Sequence, residues 1–225
     1  DIVIDGADTN RLMISAGNFA VNPLIYTSTN GGGAWVDVTP TTFSGKALLS
    51  GHVADPSIVF ASIGDSTTGV GGLWRTTNFG GSWTQVSNST TNGIWGVQGW
   101  YSHYVVVHPT NPSLVIHNAV GMSKSTNGGV SFVPVSGGYS DNHGYAVHPT
   151  DPNIVYTAND DGVYRSTDFG TSWTDVGTGL QTGQFYNGFS NSSTDSAMAI
   201  VQSQDHIPGY RYLGSPLIAE EPGGP

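Results

Sequence analysis

The stretch NDDGVYRSTDFGTSWTDV, residues 159–176, is one of four copies of a single pattern. The others are PLIYTSTNGGGAWVDV (23–38), GGLWRTTNFGGSWTQV (71–86) and GMSKSTNGGVSFVPV (121–135). They align without gaps at Ser28, Asn30, Gly32 and Trp35, at Thr76, Asn78, Gly80 and Trp83, at Ser125, Asn127, Gly129 and Phe132, and at Ser166, Asp168, Gly170 and Trp173. Successive first hydroxyls stand 48, 49 and 41 residues apart, the length of one four-stranded propeller blade. A unit repeated at this period is architecture before it is chemistry, because one copy cannot bury its own apolar face and must stack on the next.

Each position of the loop suits a turn. An Asn or Asp at the third position is expected to accept from backbone amides two residues on, the glycine two further on to take a positive φ, and the aromatic to cover the turn. These sixteen residues are therefore read as a folding device and not as ligand contacts. A second marker runs in phase with the first: HVADPSIVFAS from His52, HPTNPSLVIHN from His108, HPTDPNIVYTA from His148 and a weaker DGADTNRLMIS from Asp5. From each leading residue to Leu12, Val59, Val115 or Val155 the separation is seven, so this segment predicts a fixed hairpin turn. The repeat is then four strands, A to D, drawn for the third copy as Tyr104–Val107, Leu114–Asn118, Met122–Ser125 and Phe132–Val135.

Composition agrees. With 32 Gly and 12 Pro in 225 residues, and no window of helical periodicity, the chain reads as all-β, a β-propeller of four-stranded antiparallel blades forming an incomplete ring or a fragment of one. No linker or charge run divides it, so residues 1–225 are read as a single propeller segment. Its blades are 2–38, 46–86, 103–135 and 143–176, with a partial fifth at 184–213 and a tail or linker at 214–225. Either further blades or a second chain is expected to close the ring, since an open arc exposes strand edges. The formal charge is −10 and only Lys46, Lys124, Arg11, Arg75, Arg165 and Arg211 are positive, which argues against nucleic acid and anionic lipid as partners. No apolar segment is long enough to span a membrane as a helix, and the absence of cysteine excludes a disulfide-rich module. The opening DIVIDG, without Met, reads as the start of a processed or fragmentary chain, and Asn88 and Asn191 match the glycosylation pattern; a secreted or cell-surface location is expected.

STDFGTSW resembles the Asp-box of bacterial-neuraminidase-type repeats, shared by sialidases, xyloglucan-active glycoside hydrolases and sortilin-type propellers. The longer resemblance is to secreted microbial sortilin-like propellers. In those a Trp-Tyr pair precedes an inner strand, as Trp100 and Tyr101 do here, and a His-x-Asp-x-His segment precedes another, where this chain has Tyr139, Asp141 and His143. Their Asn-Asp-Gly-Gly corresponds to Asn159, Asp160, Asp161 and Gly162, their GLxxxQFY to residues 179–186, and their QDN to Gln204, Asp205 and His206. The match covers roughly 95–206, and the boxes extend it over almost the whole chain. Tyr139 in place of His and Asp161 in place of Gly depart from the pattern, so a metal or catalytic constellation there would be incomplete.

Antiparallel blades place the A–B and C–D turns on one face, and the B–C turns and D-to-A connections on the other. The boxes and the His-Pro segments share the first face, while the longer and chemically richer loops gather on the second. There Trp95, Trp100, Tyr101 and His103 lead into one inner strand and Tyr139, Asp141 and His143 into the next, with Asp160, Asp161 and Asp205 nearby. Three readings stand open. Aromatic rings beside acids suit a glycan, with Trp95, Trp100, Tyr101, His103, Tyr139, His143 and Asp161 as ligand contacts. His103, Asp141, His143 and Asp160 form a candidate cation site; no cofactor is expected, with a bound calcium left open. Alternatively the aromatics fill the wedge between blades and the acids satisfy turn amides, giving a scaffold. A glycosidase would draw its carboxylate pair from Asp141, Asp160 and Asp205. A sialidase is disfavoured, because its three-arginine clamp would need Arg75 and Arg165, which precede boxes at equivalent positions. The main expectation is a recognition module for a polysaccharide or an extracellular protein, with a glycoside hydrolase as the alternative.

Overall fold

The computed structural model describes residues 1–16, 24–64, 71–88, 101–136, 141–160 and 162–177, and the backbone of four strands between 185 and 219. Every regular element among them is a strand. Blade 1 comprises β1 (Ile2–Ile4), β2 (Leu12–Ala16), β3 (Leu24–Ser28) and β4 (Val36–Asp37), and blade 2 comprises β5 (Ala47–Gly51), β6 (Val59–Gly64), β7 (Gly71–Thr76) and β8 (Thr84–Asn88). Blade 3 comprises β9 (Tyr104–His108), β10 (Asn111–Asn118), β11 (Met122–Ser125) and β12 (Val133–Pro134), and blade 4 comprises β13 (Asn142–Val147), β14 (Val155–Asn159), β15 (Gly162–Ser166) and β16 (Thr174–Asp175). Each sheet is antiparallel with its strands in sequence order.

The chain divides into two compact units, Asp1–Val176 with these four blades, and Gly177–Pro225. The second unit carries a sheet of its own, β17 (Phe185–Asn191), β18 (Met198–Ser203), β19 (Gly209–Tyr212) and β20 (Ile218–Ala219), in the same order. Its last strand falls within the stretch that the sequence suggests is a tail, and the partial fifth repeat is a whole four-stranded sheet. The signal there is weak because Ile218 and Ala219 are not followed or preceded by a box.

The four boxes are built alike, and their chemistry differs in one respect from expectation. The third-position side chain reaches an amide four residues on, not two: Ala34 N donates to Asn30 Oδ1 (2.8 Å), Ser82 N to Asn78 Oδ1 (2.8 Å), Ser131 N to Asn127 Oδ1 (3.0 Å) and Ser172 N to Asp168 Oδ1 (2.9 Å). The amide two residues on is the glycine's and belongs to the leading hydroxyl, which also accepts from the third residue's own amide, as Ser166 Oγ does from Gly170 N and Asp168 N. The wider reach follows from the glycine, whose positive φ (90°, 89°, 87° and 78° in the four copies) folds the chain back over the side chain. Each box is tied to the A–B turn of its own blade by one backbone bond, from Gly31 to Asn10, Phe79 to Ser57, Gly128 to Ser113 and Phe169 to Asn153. Both turn sets therefore occupy one end of the sheets.

Cores lie between blades. Met13 and Ile25 of blade 1 meet Leu49, Val59 and Ala61 of blade 2; Phe60 and Leu73 meet Val105 and Val115 of blade 3; Ile116 and Met122 meet Val155 and Trp173 of blade 4. Burial of one such aliphatic side chain is worth about 1.5–3 kcal/mol. The rule of assembly is the same each time: the box of one blade inserts into the blade before it. A methyl added at Gly80 would stand 3.0 Å from Val38 and 3.2 Å from Met13, at Gly129 2.7 Å from Leu73, and at Gly170 2.6 Å from Ile116. Trp83 Nε1 donates to Val38 O, and Lys124 Nζ reaches Asp168 O and Thr171 Oγ1.

Candidate functional site

At the end of the sheets opposite the boxes, three connections of blades 3 and 4 converge. Tyr101 and Ser102 precede β9, Asp141 precedes β13, and Asp160 lies in the turn between β14 and β15. Asp141 has φ 57°, a left-handed conformation that Asp tolerates better than most residues, and accepts from Ser102 Oγ at 3.3 Å. His143 sits in a bulge: Asn142 pairs with Asn159 and Gly144 with Ala158, leaving His143 as the extra residue. A bulge re-aims one side chain without breaking the strand. Here Nε2 of His143 lies 2.6 Å from Asp160 Oδ1, and the imidazole edge meets the Tyr101 ring at 5.1 Å between centroids. The turn itself is secured by Asn159, whose Oδ1 accepts from Gly162 N. Tyr101 is 39 % exposed, and Asp141, His143 and Asp160 are part-buried. The cluster thus presents an accessible aromatic ring beside two carboxylates that have different partners, a serine hydroxyl for Asp141 and an imidazole for Asp160.

Five of the residues suggested by the sequence, Trp95, Trp100, Tyr139, Asp161 and Asp205, lie outside the described residues. Of the others, Tyr101, Asp141, His143 and Asp160 are brought together. His103 is not. It shares strand parity with Val105 and Val107, faces blade 2, and is fully buried, its Nδ1 2.7 Å from Ser62 Oγ; the same hydroxyl lies 3.2 Å from His117 Nε2. Burial holds His103 well below the usual imidazole range, helped by His117 and Lys46, and pushes His117 down to about 3, so both are neutral at pH 7. Among the described residues no three His, Asp or Glu side chains form a group able to hold a metal ion.

Ser102 was not singled out by the sequence, since a serine in a Ser-rich chain carries no signal. The parity of His103 with two valines was a usable one. The leading residues of the A–B turns also have structural work: His148 Nδ1 accepts from Thr150 N and Asp151 N, and Asp5 Oδ1 from Ala7 N, which with Arg11 holds the Asp5 carboxyl below its ordinary range. A groove of about 360 Å³ runs along the A strands, past Ile2, Ile4, Leu49, Val106 and Tyr145. None of the sequence-suggested site residues lines it. No described helix is long and apolar enough to cross a membrane.

No family model matches the chain. A xyloglucanase of Hypocrea jecorina (strain QM6a) is 25% identical over 175 residues, which are 76% of this chain and 19% of that protein. Among solved structures, a GH74 enzyme of Niastella koreensis superposes with a TM-score of 0.55 at 20% identity, over 96% of this chain and 30% of that one. An ancestral GH74 enzyme gives 0.58 at 16% identity, over 97% and 30%. The chain therefore spans less than a third of the length of each of these relatives. At these identities the likeness shows the fold, and the all-β arrangement of this chain is similar to that of the GH74 enzymes.

Proposed function

We propose that this chain is part of a secreted, carbohydrate-active propeller of the glycoside hydrolase type, whose loop-rich end engages a polysaccharide of the xyloglucan class. The observation that carries the reading is the cluster of Tyr101, His143, Asp160, Asp141 and Ser102 at that end. An exposed ring covers the apolar face of a pyranose, and carboxylates accept from its hydroxyls. The similarity to a xyloglucanase supports the choice of polysaccharide. In a hydrolase, one carboxyl must give a proton to the leaving oxygen while the other stays ionised. Asp141, bonded to Ser102, and Asp160, bonded to His143, are the carboxyls available for these two roles.

The test is calorimetric titration with xyloglucan oligosaccharides, with release of reducing ends followed in parallel. Binding that weakens about tenfold or more in Tyr101→Ala, with turnover lost in Asp141→Asn and Asp160→Asn, is the expected result. Unchanged binding in Tyr101→Ala and Asp160→Asn would overturn the reading. Binding without turnover would select the second reading, a recognition module for glycan or extracellular protein, which the same exposed ring and acids also suit. A bound calcium has no support from the described side chains, and the sortilin-like identity rests on the motifs alone.

A further inference from the structure

The face of blade 1 that points away from blade 2 has the makings of an interface without the partner. Position by position, Ile2 corresponds to Leu49 and Val105 by register, since each stands opposite the B-strand residue two after Leu12, Val59 or Val115, namely Ile14, Ala61 or His117. Leu49 is 3 % exposed and Val105 1 %, but Ile2 is 54 % exposed. Leu12 is only partly covered where Val59, Val115 and Val155 are buried. Trp35 is 39 % exposed where Trp173 is 8 %. The glycines agree: a methyl on Gly80, Gly129 or Gly170 would strike the preceding blade, whereas on Gly32 it would meet only Trp35 and Leu12 of its own blade.

We infer that this face is the docking surface for a further Asp-box blade of the same polypeptide, lying outside residues 1–225. The three interfaces within the first unit specify that blade's chemistry. It presents an apolar B-strand residue under Gly32, as Met13, Phe60 and Ile116 do at the other boxes. Beside Gly31 it places a strand-C side chain, the role of Arg75 at Gly128 and of Lys124 at Asp168. At the end of its D strand it offers a backbone carbonyl to Trp35 Nε1, as Val38 does to Trp83. A blade of the same chain is favoured over a second copy because every described blade contact joins sequence neighbours in this one direction, and because the relatives are more than three times longer.

The chain has no cysteine, so single thiols report exposure without background. Ile2→Cys tests the face, and Val133→Cys, on the exposed outer strand of blade 3, serves as control. Maleimide labelling rates are compared in the 225-residue chain and in the natural polypeptide that contains it. The expected result is equal rates in the shorter chain, and at least tenfold slower labelling at position 2 alone in the longer one. Equal rates in the longer polypeptide, or a natural polypeptide without a further box, would overturn the inference. So would protection at position 2 that appears in the 225-residue chain with rising concentration, which would make a second copy the occupant. Leu12→Cys, read in the same way, keeps the test valid if Ile2→Cys perturbs the N-terminal strand.

Discussion

The two ends of the four-blade unit are built on different terms. At the box end the polar side chains are consumed by backbone amides a few residues away, in nearly the same geometry four times over. At the other end side chains meet side chains from distant parts of the chain: Asp141 is bonded to Ser102, 39 residues away, and His143 to Asp160, 17 away. Gly129 is hemmed in by Leu73 and Val86 of the neighbouring blade, while Gly121 and Gly144 have nothing within 4 Å of an added methyl. A repeated end is spent on holding blades together; an unrepeated end is free to carry chemistry.

The comparison breaks most readily at the box glycines. Gly129→Val combines a positive φ of 87° with a contact 2.7 Å from Leu73, and is expected to cost about 4 kcal/mol by urea unfolding. Gly121→Ala should cost less than about 1 kcal/mol. Equal losses would erase the distinction between the ends.

Next in size is acid. His103 and His117 titrate near 6.5 when unfolded but are held neutral by burial in the fold, so the unfolded state binds more protons. Stability is full above pH 6.5 and falls as pH drops toward about 3, His117 alone contributing a loss on the order of 3 kcal/mol by pH 4. Urea midpoints measured from pH 7 to 4 should fall steeply, and His117→Gln should flatten the slope; an unchanged slope would contradict the buried neutral pair.

Ser166→Ala removes the oxygen that accepts from Gly170 N and Asp168 N and should cost about 2 kcal/mol, read as a shift in thermal midpoint. Smallest is Asp160→Asn. Its part-buried contact with His143 is worth less than about 1 kcal/mol to the fold, so thermal unfolding should barely move while xyloglucan binding is lost. A large drop in stability there would turn the acid into a structural residue.

Much of the fold was legible in the residues, and less of the site. The seven-residue step from His108 to Val115 and the box at Ser125 located β9 and β11 to within one residue and the end of β10, which starts at Asn111 and not at Leu114. The fifth sheet was read short because its last strand has no box to announce it. For the site, the topology of antiparallel hairpins was enough to send Asp141, His143 and Asp160 to one end. It was not enough to keep His103 out of the list, because the Tyr-Ser-His run at 101–103 looks equally polar throughout.

What the sequence determined by itself is whatever depends on bonds between near neighbours. A hydroxyl, an amide side chain and a glycine two residues apart close the same turn wherever they occur, since all three partners lie within five residues of chain. Only the tertiary structure decided which flank of β9 takes up His103 and which presents Tyr101, because that depends on blade 2 supplying Ser62 across the interface. It likewise decided that a bulge at His143 turns the imidazole toward Asp160, as bulges are set by the register of whole strands and leave no local mark in the chain.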